Sequence, residues 1–150
     1  MTEKVQTRKR KSGLRRSSVL GWLHLMRISH RVLHTAATKL NGWGLSIAQF
    51  DVLAQIGAAP GISQLDLAQR LFVTQGNVTQ LLDKMEARGL IQRVPEGRSK
   101  RLYLTAAGRQ LFNEVVPLHE DFIAERFDAL SHDEQRQLLR LLAKLDRNQR

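Results

Sequence analysis

The chain has 150 residues and no cysteine, which suits one domain with a real core and excludes disulfides, thiolate redox chemistry and cysteine-based zinc sites. No apolar stretch approaches the ~20 residues that a membrane-spanning helix needs. The formal net charge of +10 is high for this length and points to a polyanionic partner.

Much of that charge stands at the start. Residues 1–18 hold Lys4, Arg8, Lys9, Arg10, Lys11, Arg15 and Arg16 against Glu3, with no apolar periodicity. They are expected to form a disordered basic arm that adds phosphate contacts on DNA; the alternative is a solvated tail that only improves solubility. The apolar run Val19 to Met26 could mimic a signal peptide, but Gly21, His24 and Arg27 interrupt or end it. An Arg-rich, acid-poor start also fits a transit peptide. Residues 19–40 then read as one long helix with Trp22, Leu25, Ile28, Val32, Ala36 and Leu40 on a wide apolar stripe, ended by Asn41-Gly42-Trp43-Gly44.

Ser46 with Gln49 makes a capping box for a second helix, whose Phe50, Leu53, Ala54 and Ile56 continue the core until Pro60-Gly61. Ser63, with Asp66 three residues on, opens a short helix whose Leu65, Ala68 and Leu71 are expected on one buried face. Thr74 caps the next helix, with Val78, Leu81, Leu82 and Met85 as the buried stripe and Gly89 as the stop. On its other side lie Gln75, Gly76, Asn77, Thr79, Gln80 and Lys84. A helix that only covered a core would usually be studded with Glu and Lys there. Uncharged amides and hydroxyls instead suit base edges, and Gly76 lets the helix start approach another molecule closely. An ordinary well-capped polar surface is the competing explanation.

A hairpin follows, with short β-compatible runs at Ile91 to Val94 and Arg101 to Leu104 and turn chemistry in Pro95-Glu96-Gly97. Arg93, Arg98, Lys100 and Arg101 oppose Glu96 alone on this small protrusion. A basic hairpin directly after a polar-faced helix is explained by the helix entering a major groove while the hairpin reaches the neighbouring minor groove or phosphates. Thr105 then caps a long helix through Phe112, Val115, Val116, Phe122, Ile123, Phe127 and Leu130, with a bend expected at Pro117. Ser131 with Glu134 opens a last helix with leucine at 138, 139, 141, 142 and 145. Both terminal helical regions carry more apolar surface than one small domain can cover, so a subunit interface is expected; packing of the first helix on the last is the alternative.

In the ordered combination LSIAQFDVLAQIGAAPG, LDLAQRL, NVTQLLDKMEARGLIQR and EGRSKRLYLT followed by AAG, the chain resembles the MarR family of winged helix-turn-helix transcription regulators. The resemblance runs from roughly Leu20 to the C-terminus. It implies a mainly α fold with a small β wing: a winged helix-turn-helix lobe over 45–105, flanked by N- and C-terminal dimerisation helices at 19–40 and 106–150. The family's wing usually carries Asp-x-Arg, with the acid shaping the wing and the arginine entering the minor groove; Glu96 and Arg98 stand in those positions here. The resemblance also implies cytoplasmic location beside bacterial DNA, a homodimer, and release from DNA by a small, often aromatic or phenolic, ligand bound between the dimer helices and the lobe. Trp22, His30, His34, Trp43, Phe50 and Asp51 are the pocket candidates by location, and core or interface roles explain most of them equally well.

His30 and His34 are four apart on a helix and could share a metal, with His119 as a third ligand only if the fold brings it near; two histidines on a polar face are commoner, and no metal or cofactor is assigned. No nucleophile elbow, phosphate loop or paired-carboxylate arrangement stands in the chain, so an enzyme is not expected. The reading is a sequence-specific homodimeric repressor on an inverted-repeat operator. Gln75, Asn77, Thr79 and Gln80 would read bases, Ser63, Gln64, Thr74 and Lys84 would lie nearer phosphates, and Arg98 would enter the minor groove with Arg93, Ser99 and Lys100 beside it. Two alternatives stay open: a nonspecific architectural protein that binds mainly through its basic tail, and an adaptor that uses the fold without DNA.

Overall fold

The computed structural model describes residues 12–71 and 74–149. Among them are α1 (Ser12–Asn41), α2 (Ile47–Ala58), β1 (Ile62–Ser63), α3 (Gln64–Arg70), α4 (Gln75–Ala87), β2 (Ile91–Glu96), β3 (Ser99–Leu104), α5 (Ala106–Glu125) and α6 (His132–Arg147). The chain divides into two compact units, one ending at Thr35 and the other starting at Ala36. No described helix is long and apolar enough to cross a membrane.

In the first unit α1 begins at Ser12, ahead of the boundary expected at Val19. Leu14, Arg15 and Arg16 are good helix formers, and lengthening an existing helix adds one hydrogen bond per residue without a second nucleation. Residues 1–11 of the expected basic arm lie outside the described residues. Val19, Leu20, Leu23, Met26 and Ile28 stand exposed, and Trp22 is 61% exposed.

The second unit holds the core. Leu40, Leu45, Val52, Leu53, Ile56, Leu67, Val78, Leu82, Met85, Ile91 and Leu102 are almost wholly buried and pack as one cluster. Their spacing explains the elements. Val78, Leu82 and Met85 fall on one face of α4 at four- and three-residue steps, with Leu81 half-buried beside them. Helix ends follow local chemistry as well. Ser46 with Gln49 and Ser131 with Glu134 form reciprocal capping boxes, whereas Ser63 accepts from the Asp66 N–H with no return bond from the shorter acid. Gly89, at φ +70, closes α4 while Leu90 N–H donates back to the Met85 carbonyl.

Four expectations need correcting. Leu65 is half exposed, because α3 turns Leu67 and Ala68 to the core instead. Ile62–Ser63 is a strand that pairs with Leu102 and Arg101, too short for any periodicity to reveal. The hairpin is longer than expected: Pro95 pairs with Lys100 and Glu96 with Ser99, leaving the turn at Gly97, φ +59, and Arg98. Proline is tolerated there because the strand order β1-β3-β2 makes β2 an edge. Finally, α5 ends at Glu125, so Phe127 and Leu130 lie in the turn before α6 rather than in the helix, while Pro117 sits inside it. Helix α6 buries no residue fully, and Leu139 is 68% exposed.

The seat of α5 on the lobe depends on one glycine. Thr105 caps α5 through the Gly108 N–H, and the Thr105 N–H donates to the Leu90 carbonyl. A Cβ on Gly108 would stand 1.9 Å from that same carbonyl oxygen, which is backbone and cannot swing aside. Gly108→Ala should therefore lower stability by about 2–3 kcal/mol in equilibrium urea unfolding at fixed protein concentration. Ala107→Gly, at an exposed neighbour, should cost only about 0.5–1 kcal/mol.

Candidate nucleic-acid interface

The exposed side of α4 is built outward from its cap. Thr74 Oγ1 accepts the Asn77 N–H at 3.3 Å, and Ser63 Oγ accepts the Asp66 N–H at 3.0 Å. Each hydroxyl has used a lone pair and keeps an O–H that can donate to an oxygen outside the chain. Thr74, Gly76, Asn77, Gln80 and Lys84 are exposed. The Gln75 side chain lies outside the described atoms. Gly76 meets nothing closer than Thr74 Oγ1 at 4.0 Å, so the fold itself does not require a glycine there.

Gln64 and Thr79 behave differently from the rest of the expected contact set. Gln64 Nε2 donates to Thr79 Oγ1 at 2.7 Å, and both residues are half-buried. This bond ties α3 to α4 and points to a bracing role beside the open surface.

The wing divides its cations into two kinds. Arg93 donates to Glu86 Oε2 at 2.6 Å and to Asp83 Oδ1 at 2.5 Å, with its side chain only 16% exposed. Burial alone would lower its pKa, but the hydrogen bonds and charges of Asp83 and Glu86 outweigh that and hold it above the usual value. Arg93 is thus an internal strut between β2 and α4, not the exposed wing cation the sequence suggested. The signal was present in Asp83 and Glu86, three apart on one face of α4. Arg101 is likewise engaged, donating to Glu96 Oε2 at 2.6 Å and to the Gly61 carbonyl at 3.4 Å. Ser99 Oγ donates to the Glu96 carbonyl, so Glu96 organises the tip from both sides. Arg98 and Lys100 are exposed, and no ion pair to either is formed among the described residues.

Between α3, α4 and the wing runs an open groove of about 640 Å³, into which Ser63, Gln64, Thr79, Arg98, Ser99 and Lys100 converge. The engaged Arg93 and Arg101 line it as well, as do Leu65 and Asp66, which the sequence does not place there. A duplex strand separating a major groove from the next minor groove would follow this channel if α4 entered the one and the wing the other.

A second cleft, of about 430 Å³, lies between the end of α1 and α5, lined among others by Lys39, Trp43, Leu118, His119, Phe122 and Glu125. Of the expected pocket residues only Trp43 lines it. Phe50 is buried and packs against His119 with ring centroids 4.2 Å apart and the rings tilted at 45°. Burial pushes the Asp51 carboxyl up against the opposing pull of His119, and burial pushes His119 down against Asp51 and Glu120. Trp22, His30 and His34 belong to the first unit. From sequence His119 is at most a third metal ligand and Phe122 a core residue; no local pattern shows that α5 turns both toward the end of α1. No group of three His, Cys, Asp or Glu suited to a metal ion occurs among the described residues.

Comparison with known proteins gives a consistent result. The sequence model of the MarR family matches residues 43–102. A Bacillus cereus protein known as an uncharacterized HTH-type transcriptional regulator is 31% identical over 128 residues, covering 85% of this chain and 87% of that one. The Staphylococcus aureus MepR–DNA complex superposes with a TM-score of 0.77 at 27% identity, over 85% of this chain and 96% of that one. A mutant Escherichia coli MarR bound to operator DNA gives 0.74 at 28% identity, over 84% and 92% of the two chains.

The two kinds of wing arginine should separate in a stability measurement. Arg93→Ala strands two carboxylates on α4 and should cost about 1–2 kcal/mol in urea unfolding, the figure being moderated by the exposure of both acids. Arg98→Ala should change stability by less than about 0.5 kcal/mol. Equal losses would contradict the division.

Proposed function

This chain belongs to the MarR family of DNA-binding transcriptional regulators, and from that membership we propose a homodimeric repressor that reads an inverted-repeat operator and leaves it when a small ligand binds. The observation that carries the reading is the uncharged, exposed α4 surface of Thr74, Gly76, Asn77 and Gln80, beside a wing whose Arg98 and Lys100 form no ion pair among the described residues. Asn77 and Gln80, with Gln75, supply base reading. Arg98 enters the minor groove, while Lys100, Lys84 and the cap hydroxyls of Thr74 and Ser63 hold phosphates. Gln64 and Thr79 brace the helix, and Arg93 holds the wing.

A dimer accounts for apolar surface that one chain leaves bare, on α1 around Trp22 and on α6 around Leu139. Two-fold symmetry sets two copies of α4 on major-groove faces about 34–36 Å apart, which is why the operator should be an inverted repeat. The Lys39–Trp43–His119–Phe122 cleft is the seat for the effector, which the family resemblance implies is a small aromatic or phenolic molecule. Its binding would favour a lobe spacing that misfits the operator.

Selection of genomic fragments by the purified full chain tests this reading, because it should return a symmetric site that resists competition by unrelated DNA by about a thousandfold or more. On that site Asn77→Ala should relax the preference at one position per half-site by about 1–3 kcal/mol, whereas Arg98→Ala should weaken all sites alike and flatten the salt dependence by roughly one unit of slope per wing. Fragments of random sequence, lost equally to any competitor, would replace this reading with the architectural one. Gly76→Ala should raise thermal stability, by roughly 0.5–1 kcal/mol, and still weaken operator binding; unchanged binding would remove the close approach of the α4 start.

A further inference from the structure

Arg88 is the C-cap residue of α4, and among the described residues its side chain bonds backbone carbonyls and no carboxylate. Its Nη1 donates to the Gly44 carbonyl at 2.7 Å and its Nη2 to the Trp43 carbonyl at 3.4 Å. Those two carbonyls belong to the turn that follows α1, where Gly44 holds φ +67 and a Cβ would lie 3.3 Å from Arg88 Nη2. The same Trp43 donates its indole N–H to Glu114 Oε1 on α5 at 2.9 Å, and its ring lines the cleft with Lys39, His119 and Phe122. One residue thus touches the cleft with its ring, α5 with its N–H and the base-reading helix through its carbonyl.

We infer that Arg88 is a positioning residue that couples the state of the Trp43 cleft to the seating of α4 on DNA, an inference that rests on the DNA-binding reading above. The physical reason is the planar fork of the guanidinium. It bonds two successive carbonyls at once, so a rotation of the Trp43–Gly44 peptide must either break a bond or carry the end of α4 along. Arg88 stands at the opposite end of α4 from Thr74, so a small tilt at Arg88 is felt as a displacement at Gly76 and Asn77. Coupling of this kind is reciprocal: whatever the cleft does to DNA affinity, DNA does to the cleft. It can therefore be observed without knowing the effector.

The chain has two tryptophans, Trp22 and Trp43. Full-length protein labelled with 5-fluorotryptophan gives two 19F resonances, assigned with Trp43→Phe, and the selected operator fragment is the probe. Binding is followed in the same samples by anisotropy of the labelled DNA. The expected result is that saturating operator displaces the Trp43 resonance in the native protein. In Arg88→Met, which keeps the stem and removes both donors, the operator should bind about fivefold or more weakly and leave Trp43 where it was. Arg88→Lys can reach one carbonyl only and should give an intermediate displacement; if the methionine variant does not fold, the lysine variant decides alone. Operator that binds the native protein without moving Trp43, or an undiminished displacement in either Arg88 variant, overturns the coupling while leaving DNA binding intact. Absence of any binding by anisotropy overturns both readings together.

Discussion

Helix α4 has to do two incompatible things at once, bury an apolar stripe and hold an uncharged polar surface in a fixed attitude toward another molecule, and the structure depends on how it is held while doing both. Burial of Val78, Leu82 and Met85 supplies most of the free energy, on the order of 1.5–3 kcal/mol for each side chain removed from water. Hydrophobic contact is non-directional, however, and would tolerate rotation or sliding of a short helix. Direction comes from polar contacts on three sides: Gln64 to Thr79 from α3, Arg93 to Asp83 and Glu86 from β2, and Arg88 to Trp43 and Gly44 from the turn after α1. Each is weak by the standards of partly exposed polar contacts. Together they fix rotation, tilt and axial position, which the apolar stripe leaves soft.

The same division of labour explains the wing. A two-stranded protrusion is marginal alone, and its tip is stiffened by charge within the hairpin, Arg101 against Glu96, and at its base by Arg93 against α4. Two of four wing cations are consumed in holding the shape. The remaining pair, Arg98 and Lys100, carry the outward field. The net charge of the chain therefore overstates what the lobe itself offers a polyanion, and Asp66 in the groove reduces it further.

The sequence made the fold legible because caps, stops and stripes agreed with one another. Ser46, Thr74, Thr105, Ser131 and Gly89 each act at the place their chemistry dictates. Local rules of that kind concern neighbours within about four residues, which a linear reading sees directly. What it missed is long-range. Leu65 looked buried because a three-residue spacing fits a helix face as well as the 3.6-residue period does over one turn. Arg93 looked free because its partners lie seven and ten residues back on another element. His119 could not be placed against Phe50, 69 positions away, by any pattern in the chain. The exposed positions of α4, Asn77, Gln80 and Lys84, were legible for the opposite reason, that side chains pointing outward need no partner to be located, whereas Thr79 was not, being tied to Gln64.

This rigidity also restricts where regulation can act. With α3, α4 and the wing cross-braced by polar contacts and a packed core, changing the internal geometry of the lobe would break several bonds for each ångström gained. The Asn41–Gly44 turn is where the cleft meets the lobe: Trp43 lines the cleft and packs against the core, and Arg88 bonds the Trp43 and Gly44 carbonyls. A ligand shifts a conformational equilibrium only by the difference in its affinity for the two states, so it must touch something that moves. At that turn Trp43 is joined both to α5, by its indole N–H on Glu114, and to α4, through Arg88 on its carbonyl. On the proposed reading, a molecule lodged against the indole acts on α4 as a unit and leaves intact the contacts that keep the helix and wing in register with each other.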